Sequence, residues 1–163
     1  MREKREKRFE EIYMEYKDTV FAISIMYLKD YQLAEDAAQE VFVKVLKKLN
    51  SLKDKSKTKA WISKIAINVC RNKLKHSSRR EIPYDTLPQN TQNDIISDID
   101  FAIDEALSGL SPELNEVVIL YYYQGFTQKE ISSILNIPTT TTAYRLRTAK
   151  SQLKKSLKEY YNE

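Results

Sequence analysis

Three features of the sequence predict an all-α fold of two small helical domains joined by a flexible linker. The 163 residues include only two Gly and four Pro, against an abundance of Leu, Ile, Lys and Glu, a composition that favours helix almost throughout. Apolar residues recur at the 3.6-residue period in segment after segment. Residues 78–100 break that pattern with two of the four Pro among many Ser, Thr, Asn, Gln and Asp. They read as the linker between a first domain, residues 1–77, and a second, residues 101–163, that ends in a helix-turn-helix within a four-helix unit.

In chain order, residues 7–29 are predicted to form a long helix with Phe9, Ile12, Tyr13, Tyr16, Val20, Phe21, Ser24, Tyr27 and Leu28 near one side. A second helix begins about Asp30 and runs to Leu49 on the stripe Leu33, Ala37, Ala38, Val41, Phe42, Val45, Leu46 and Leu49. Its other side shows Asp36, Gln39, Glu40 and Val43, an acidic patch with one exposed aliphatic. Residues 50–60 have no periodicity and read as a cationic loop. A third helix, Lys59 to about His76, is expected to bury Trp61, Ile62, Ile65, Ala66, Val69, Cys70 and Leu74. Lys64, Asn68, Arg71, Asn72 and Lys75 then share the opposite face.

After the linker comes a short amphipathic segment (Phe101, Ile103, Leu107). Ser111-Pro112-Glu113 then supplies an N-cap, a proline at the first helical position and a first-turn acid. The run from Val117 to Tyr123 could be a buried strand, but the cap before it and the turn signals after it favour a helix ending at Gly125. Thr127 stands three residues before Glu130, the capping-box spacing. Ile131, Ile134 and Leu135 follow on one face until Asn136-Ile137-Pro138 breaks the helix. The last helix carries Thr142, Leu146, Ala149, Leu153 and Leu157 as its apolar stripe. Thr140, Thr141, Tyr144, Arg145, Arg147, Thr148 and Ser151 lie on its other side.

Charge distribution narrows the chemistry. The net charge is only +4, yet residues 51–80 carry ten Lys/Arg against one Asp, and residues 81–110 carry seven acids and no base. From Thr139 to Lys158 there are six Lys/Arg and no acid. Basic blocks at two places concentrate attraction for phosphate there. The last helix could enter a major groove, with hydroxyls and Tyr144 reaching base edges and Arg contacting phosphate or guanine. An ordinary hairpin with a solvated basic face is the plain alternative. The amide-bearing basic face of the third helix, beside a cationic loop, suits a single strand of nucleic acid or else serves only solubility.

Enzymatic chemistry finds little footing. The one His (His76) sits in a basic stretch, the one Cys (Cys70) falls on an apolar face, and two Gly cannot build a phosphate-cradling loop. No metal-ligand spacing is present. Asp36 and Glu40, one turn apart, could hold a divalent ion but fit a docking patch better. One Cys excludes an internal disulfide and suits a reducing compartment. No apolar run reaches the roughly 20 residues needed to span a bilayer, and the N-terminus lacks a signal-peptide core. A cytoplasmic protein with no cofactor, no metal and no small-molecule substrate is expected.

These motifs, in this order, resemble the extracytoplasmic-function (ECF) sigma factors, the small two-domain class of bacterial sigma factors. Ala34–Val45 (AEDAAQEVFVKV) is similar to the family's core-polymerase-binding signature. Trp61-Ile62 with Ile65-Ala66 and Asn68 resembles its Trp-Leu…Ile-Ala-x-Asn pattern. Leu110-Ser111-Pro112, Val117–Tyr121 and Gly125-Phe126-Thr127, followed by Glu130-Ile131, Ile137, Thr141, Arg145-Leu146 and Ala149, resemble the run through the family's helix-turn-helix.

The resemblance implies that Asp36, Gln39, Glu40 and Val43 dock on the clamp helices of core RNA polymerase. It implies that Asn50, Ser51, Lys53 and Lys59, with Trp61 behind them, take a flipped base of the −10 element. Lys64, Asn68, Arg71 and Asn72 would hold the melted strand. Thr140, Thr141, Tyr144, Arg145, Arg147 and Thr148 would read the −35 element as duplex, with Arg145 on phosphate. An anti-sigma factor is the implied regulator. The sequence departs from the family at Thr140–Leu146, where Gly-Thr-Val-Lys-Ser-Arg-Leu is usual, and at Thr148, where a base is common. Pro138 stands where a Ser often caps, so Thr139 is expected to cap the last helix. The competing reading is a helix-turn-helix regulator that binds duplex DNA without replacing sigma.

Overall fold

The computed structural model describes residues 1–78 and 98–162. The chain divides into two compact units, Met1–Thr86 and Leu87–Glu163. Among the described residues every regular element is helical. The expected linker, residues 78–100, lies outside the described residues except at its ends, where Ser78 closes one helix and Asp98 opens the next.

In the first unit α1 (Arg2–Leu28) and α2 (Tyr31–Lys48) meet at a two-residue corner. Lys29 adopts a left-handed conformation (φ 56°) and its N–H returns to the Ile25 carbonyl, ending α1. Asp30 then caps α2 by accepting from the Leu33 N–H at 2.8 Å, satisfying a donor that the first turn leaves free. Short 3₁₀ turns at Leu49–Ser51 and Lys55–Lys57 lead into α3 (Thr58–Ser78), so the stretch read as an aperiodic loop has local structure. All three helices pack on one another around Val20, Ile23, Val41, Val45, Ile62, Ala66 and Val69, each fully buried.

Two sequence expectations are corrected here. Trp61 and Leu74 are only partly buried, and the inward positions of α3 are taken instead by Ser63 and Ile67. The buried stripe of α3 is therefore rotated away from Trp61, which lies on the same side as Asn68 and Asn72. Leu46, expected within the α2 stripe, is 39 % exposed.

In the second unit α4 (Asp98–Ser108), α5 (Pro112–Val118), α6 (Gln128–Leu135) and α7 (Thr139–Asn162) form the four-helix body. Ser111 caps α5 as predicted, accepting from the Leu114 N–H. The helix then widens into a π turn, Ile119–Tyr123, with the Gln124 N–H reaching back five residues to the Ile119 carbonyl at 3.0 Å. Ile119 and Leu120 stay in the core, while Tyr121, Tyr122 and Tyr123 come out to the surface. Gly125 ends the segment at φ 75°, a conformation that costs a side-chain-bearing residue about 1–2 kcal/mol. α7 spans the unit and packs on α4, α5 and α6, with Ala149 set among Leu110, Leu114 and Val118.

Candidate nucleic-acid interface

Three surfaces carry the sequence-predicted residues. On α2, the 3.6 period brings Asp36, Gln39, Glu40 and Val43 to one outer face, with Val43 51 % exposed. The patch is less acidic than its sequence suggests. Glu40 Oε1 lies 3.7 Å from Lys44 Nζ, and Oε2 lies 3.2 Å from Lys73 Nζ on α3. Beside Gln39 and Val43 opens a groove of about 620 Å³ between α1 and α2, lined by Phe9, Tyr13, Phe21, Tyr31 and Phe42. Tyr13 meets Phe42 edge-on at 4.8 Å between centroids, and Phe21 meets Tyr31 at 5.6 Å. The sequence placed Phe9, Tyr13, Phe21 and Phe42 on the apolar sides of their helices and did not single out Tyr31. The structure leaves several as the wall of an open, aromatic groove.

The second surface joins the 49–57 turns to α3. Asn50, Ser51 and Lys53 are exposed, and Lys59 is partly so. Ser51 Oγ donates to the Lys48 carbonyl at 2.6 Å. Asp54 Oδ1 accepts from both the hydroxyl (2.7 Å) and the N–H (3.0 Å) of Ser56. Those two bonds hold its carboxyl below the usual carboxylate range, despite a small opposing effect of desolvation. Thr58 Oγ1 donates to the Lys55 carbonyl at 2.8 Å, locking the second turn to the start of α3. Along α3, Lys64, Asn68 and Asn72 are exposed and Arg71 is partly buried. Partly buried Trp61 stands one side of this row, so cations, amides and one indole share a face.

Two residues of this surface escaped the sequence reading. Arg8 Nη2 donates to the Leu52 carbonyl at 2.5 Å and Nη1 to the Leu49 carbonyl at 3.5 Å, while Arg5 Nη2 donates to the Leu46 carbonyl at 2.7 Å. Both belong to α1, more than 40 residues away. In the sequence they were part of a run of alternating charge with no visible target.

The third surface is the helix-turn-helix. Thr127 Oγ1 accepts from the Glu130 N–H at 3.2 Å and Glu130 Oε1 accepts from the Thr127 N–H at 3.1 Å, completing the predicted capping box. Asn136 ends α6 in the left-handed region (φ 54°), and Ser132 Oγ donates to the Ile137 carbonyl across the turn. Thr139 is already the first helical residue of α7. Pro138 takes the position before it, its carbonyl accepting from the Thr142 N–H at 3.1 Å. Thr139 therefore does not cap the helix. A proline tolerates that place because no intrahelical partner awaits its missing N–H. Thr142, Leu146 and Ala149 are buried, which turns Thr140, Tyr144 and Arg147 outward, Tyr144 being 62 % exposed. Thr141, Arg145 and Thr148 sit on the flank, partly buried.

Comparison with known proteins places these surfaces in a family. The model described as Sigma-70 region 2 matches residues 12–80, and that described as Sigma-70, region 4 matches residues 100–153. The ECF RNA polymerase sigma factor SigM of Bacillus subtilis is 32 % identical over 151 residues, covering 89 % of this chain and 92 % of that protein. The chain belongs to the ECF RNA polymerase sigma factors.

The RNA polymerase sigma-H factor of Pseudomonas aeruginosa is 23 % identical over 173 residues, covering 96 % of this chain and 90 % of its own. Among solved structures, the sigma factor RpoE in complex with the anti-sigma factor NepR from Bartonella quintana matches with a TM-score of 0.76 at 23 % identity. It covers 93 % of this chain and 98 % of that one. CnrH, in complex with the cytosolic domain of CnrY, matches with a TM-score of 0.72 at 16 % identity, covering 94 % and 90 %. At these identities the likeness is one of fold. The region 2 match contains the α2 patch, the 49–57 turns and the α3 face, and the region 4 match contains the helix-turn-helix.

Among the described residues no three His, Cys, Asp or Glu side chains come together as a metal site, and no helix is long and apolar enough to cross a membrane. Cys70 is fully buried.

Proposed function

We propose that this sigma factor seats on core RNA polymerase through the α2 patch and then grips one promoter at two places. Asp36, Gln39, Glu40 and Val43 meet the clamp helices of the polymerase, where charge steers the encounter and the aliphatic supplies area. Asn50, Ser51, Lys53, Lys59 and Trp61 take a base of the −10 element. Lys64, Asn68, Arg71 and Asn72 track the melted strand. Thr140, Thr141, Tyr144, Arg145, Arg147 and Thr148 read the −35 duplex from the major groove. Residues 1–77 and 101–163 serve as the two gripping domains and residues 78–100 as their tether. The protein acts as an initiation factor, with no chemistry of its own, in the cytoplasm.

The observation that carries this reading is the place of Trp61 on α3. A partly buried indole beside exposed amides and ammoniums offers stacking to unpaired bases. A duplex-binding regulator has no use for that face. RpoE and CnrH were solved bound to NepR and CnrY, the first named as an anti-sigma factor. A protein of that kind is the regulator proposed for this chain.

The test is transcription in vitro from a promoter library with core polymerase, with and without this protein. Start sites that appear only with the protein, and that share −10 and −35 sequences, support the proposal. Initiation identical to that of core enzyme alone overturns it.

A further inference from the structure

We propose that Arg8 of α1 is a positioning residue for −10 recognition, holding the backbone on both sides of the Asn50–Ser51 turn. The proposal rests on the reading of that turn as the −10 base site.

The geometry is specific. The Arg8 guanidinium reaches the carbonyl of Leu49 with one terminal nitrogen (3.5 Å) and that of Leu52 with the other (2.5 Å). The Leu49 carbonyl, at the C-cap of α2, already accepts from the Leu52 N–H at 3.2 Å and takes the guanidinium as a second donor, and the helix end there favours a cation. The planar fork of Arg can serve two acceptors at fixed separation, which a lysine ammonium cannot do in the same way. Leu49 and Leu52 also anchor their side chains in the core, at 1 % and 5 % exposure. The turn is thus fixed from behind through two side chains and two carbonyls, while Asn50, Ser51 and Lys53 face outward. Arg5 makes a similar bond one step earlier, to the Leu46 carbonyl. α1 therefore contributes more than packing: it sets where the outward residues of the turn stand.

The experiment uses the full chain with core polymerase and promoters varied separately at the −10 and −35 elements. Arg8→Ala is expected to lose about tenfold in −10 discrimination, the equivalent of one charge-assisted hydrogen bond. Core affinity and −35 preference should hold. Arg8→Lys should recover part of the loss, because an ammonium can serve one of the two carbonyls, and it guards against a failure of Arg8→Ala to fold. Wild-type −10 discrimination in Arg8→Ala overturns the proposal. So does an equal loss of core affinity, −35 preference and −10 preference, which marks general destabilisation. Asn50→Ala and Lys53→Ala are measured alongside. If they change −10 preference and Arg8→Ala does not, only the role of Arg8 falls. If none of the three changes it, the reading of the turn as the base site falls as well.

Discussion

The ammonium of Lys73 on α3 lies 3.2 Å from the Glu40 carboxylate on α2, whose second oxygen faces Lys44 at 3.7 Å. Glu40 thus ties two helices of the first unit together while standing in the patch proposed to meet polymerase. The Lys73 side chain is 23 % exposed and that of Glu40 42 %, so solvent screens the pair and its net worth is at most about 1 kcal/mol.

Asp36 and Glu40 should therefore respond differently to charge reversal. Asp36→Lys is expected to weaken core polymerase binding about tenfold, or about 1.4 kcal/mol, with thermal stability unchanged. Glu40→Lys should weaken binding and also lower stability, because it sets three ammoniums together. Binding competition against core polymerase and a melting curve for each variant separate the two effects. Wild-type affinity in both variants would remove the patch from the interface.

What the sequence disclosed follows the range of the forces involved. The stripes of α2 and α7 and the capping pairs Ser111 with Leu114 and Thr127 with Glu130 are local, so spacing alone revealed them. Contacts between distant residues left no such trace. Arg8 and the Leu52 carbonyl are 44 positions apart, and nothing in either neighbourhood announces the other. Periodicity also overstated the core. A run of apolar residues says that a helix has a greasy side, but not how far the neighbouring helices cover it. Tyr13, Leu46, Phe101 and Tyr121 fall at its uncovered edges. The π turn at Ile119–Tyr123 shifts the phase of the pattern midway, which a single 3.6-residue period cannot register.

Ser63 supplies a stability test. Its hydroxyl is fully buried on α3 and finds no hydrogen-bond partner among the described residues. A buried hydroxyl without a partner costs about 1–3 kcal/mol, and alanine is the better helix former. Ser63→Ala should raise the stability of the first unit by about 1 kcal/mol. Urea unfolding of the two proteins checks this, and a less stable variant would show that the hydroxyl is satisfied.

Tyr123 supplies a test in pH. Partial desolvation of the half-exposed ring first, and the nearby Asp104 carboxylate second, raise its phenol above the ordinary value of 10.0. The folded chain thus disfavours the phenolate. The associated stability is fully present below pH 10.0 and is lost as pH rises from there through the folded value. Asp104→Asn should bring the titration back toward 10.0 without reaching it, since burial remains. Tyrosinate absorbance, taken as a difference against Tyr123→Phe, isolates this ring among the 11 tyrosines. An unchanged titration in Asp104→Asn would leave burial as the sole cause.

Tyr144 and Arg145 are neighbours on α7 that should fail in different ways. Tyr144 is 62 % exposed on the outward face, where a ring can meet base edges or a thymine methyl. Tyr144→Ala should cost about 1–3 kcal/mol at one −35 position and relax preference there. Arg147→Ala, on the same face, should relax preference at a neighbouring position. Arg145 sits on the flank, partly buried, and is proposed to meet the phosphate backbone rather than a base. Arg145→Ala should weaken every −35 sequence alike and reduce the slope of log affinity against log salt by about 0.9. Holoenzyme binding to a set of −35 duplex variants at several salt concentrations measures both. A uniform loss for Tyr144→Ala, or a sequence-dependent one for Arg145→Ala, would exchange or abolish these roles.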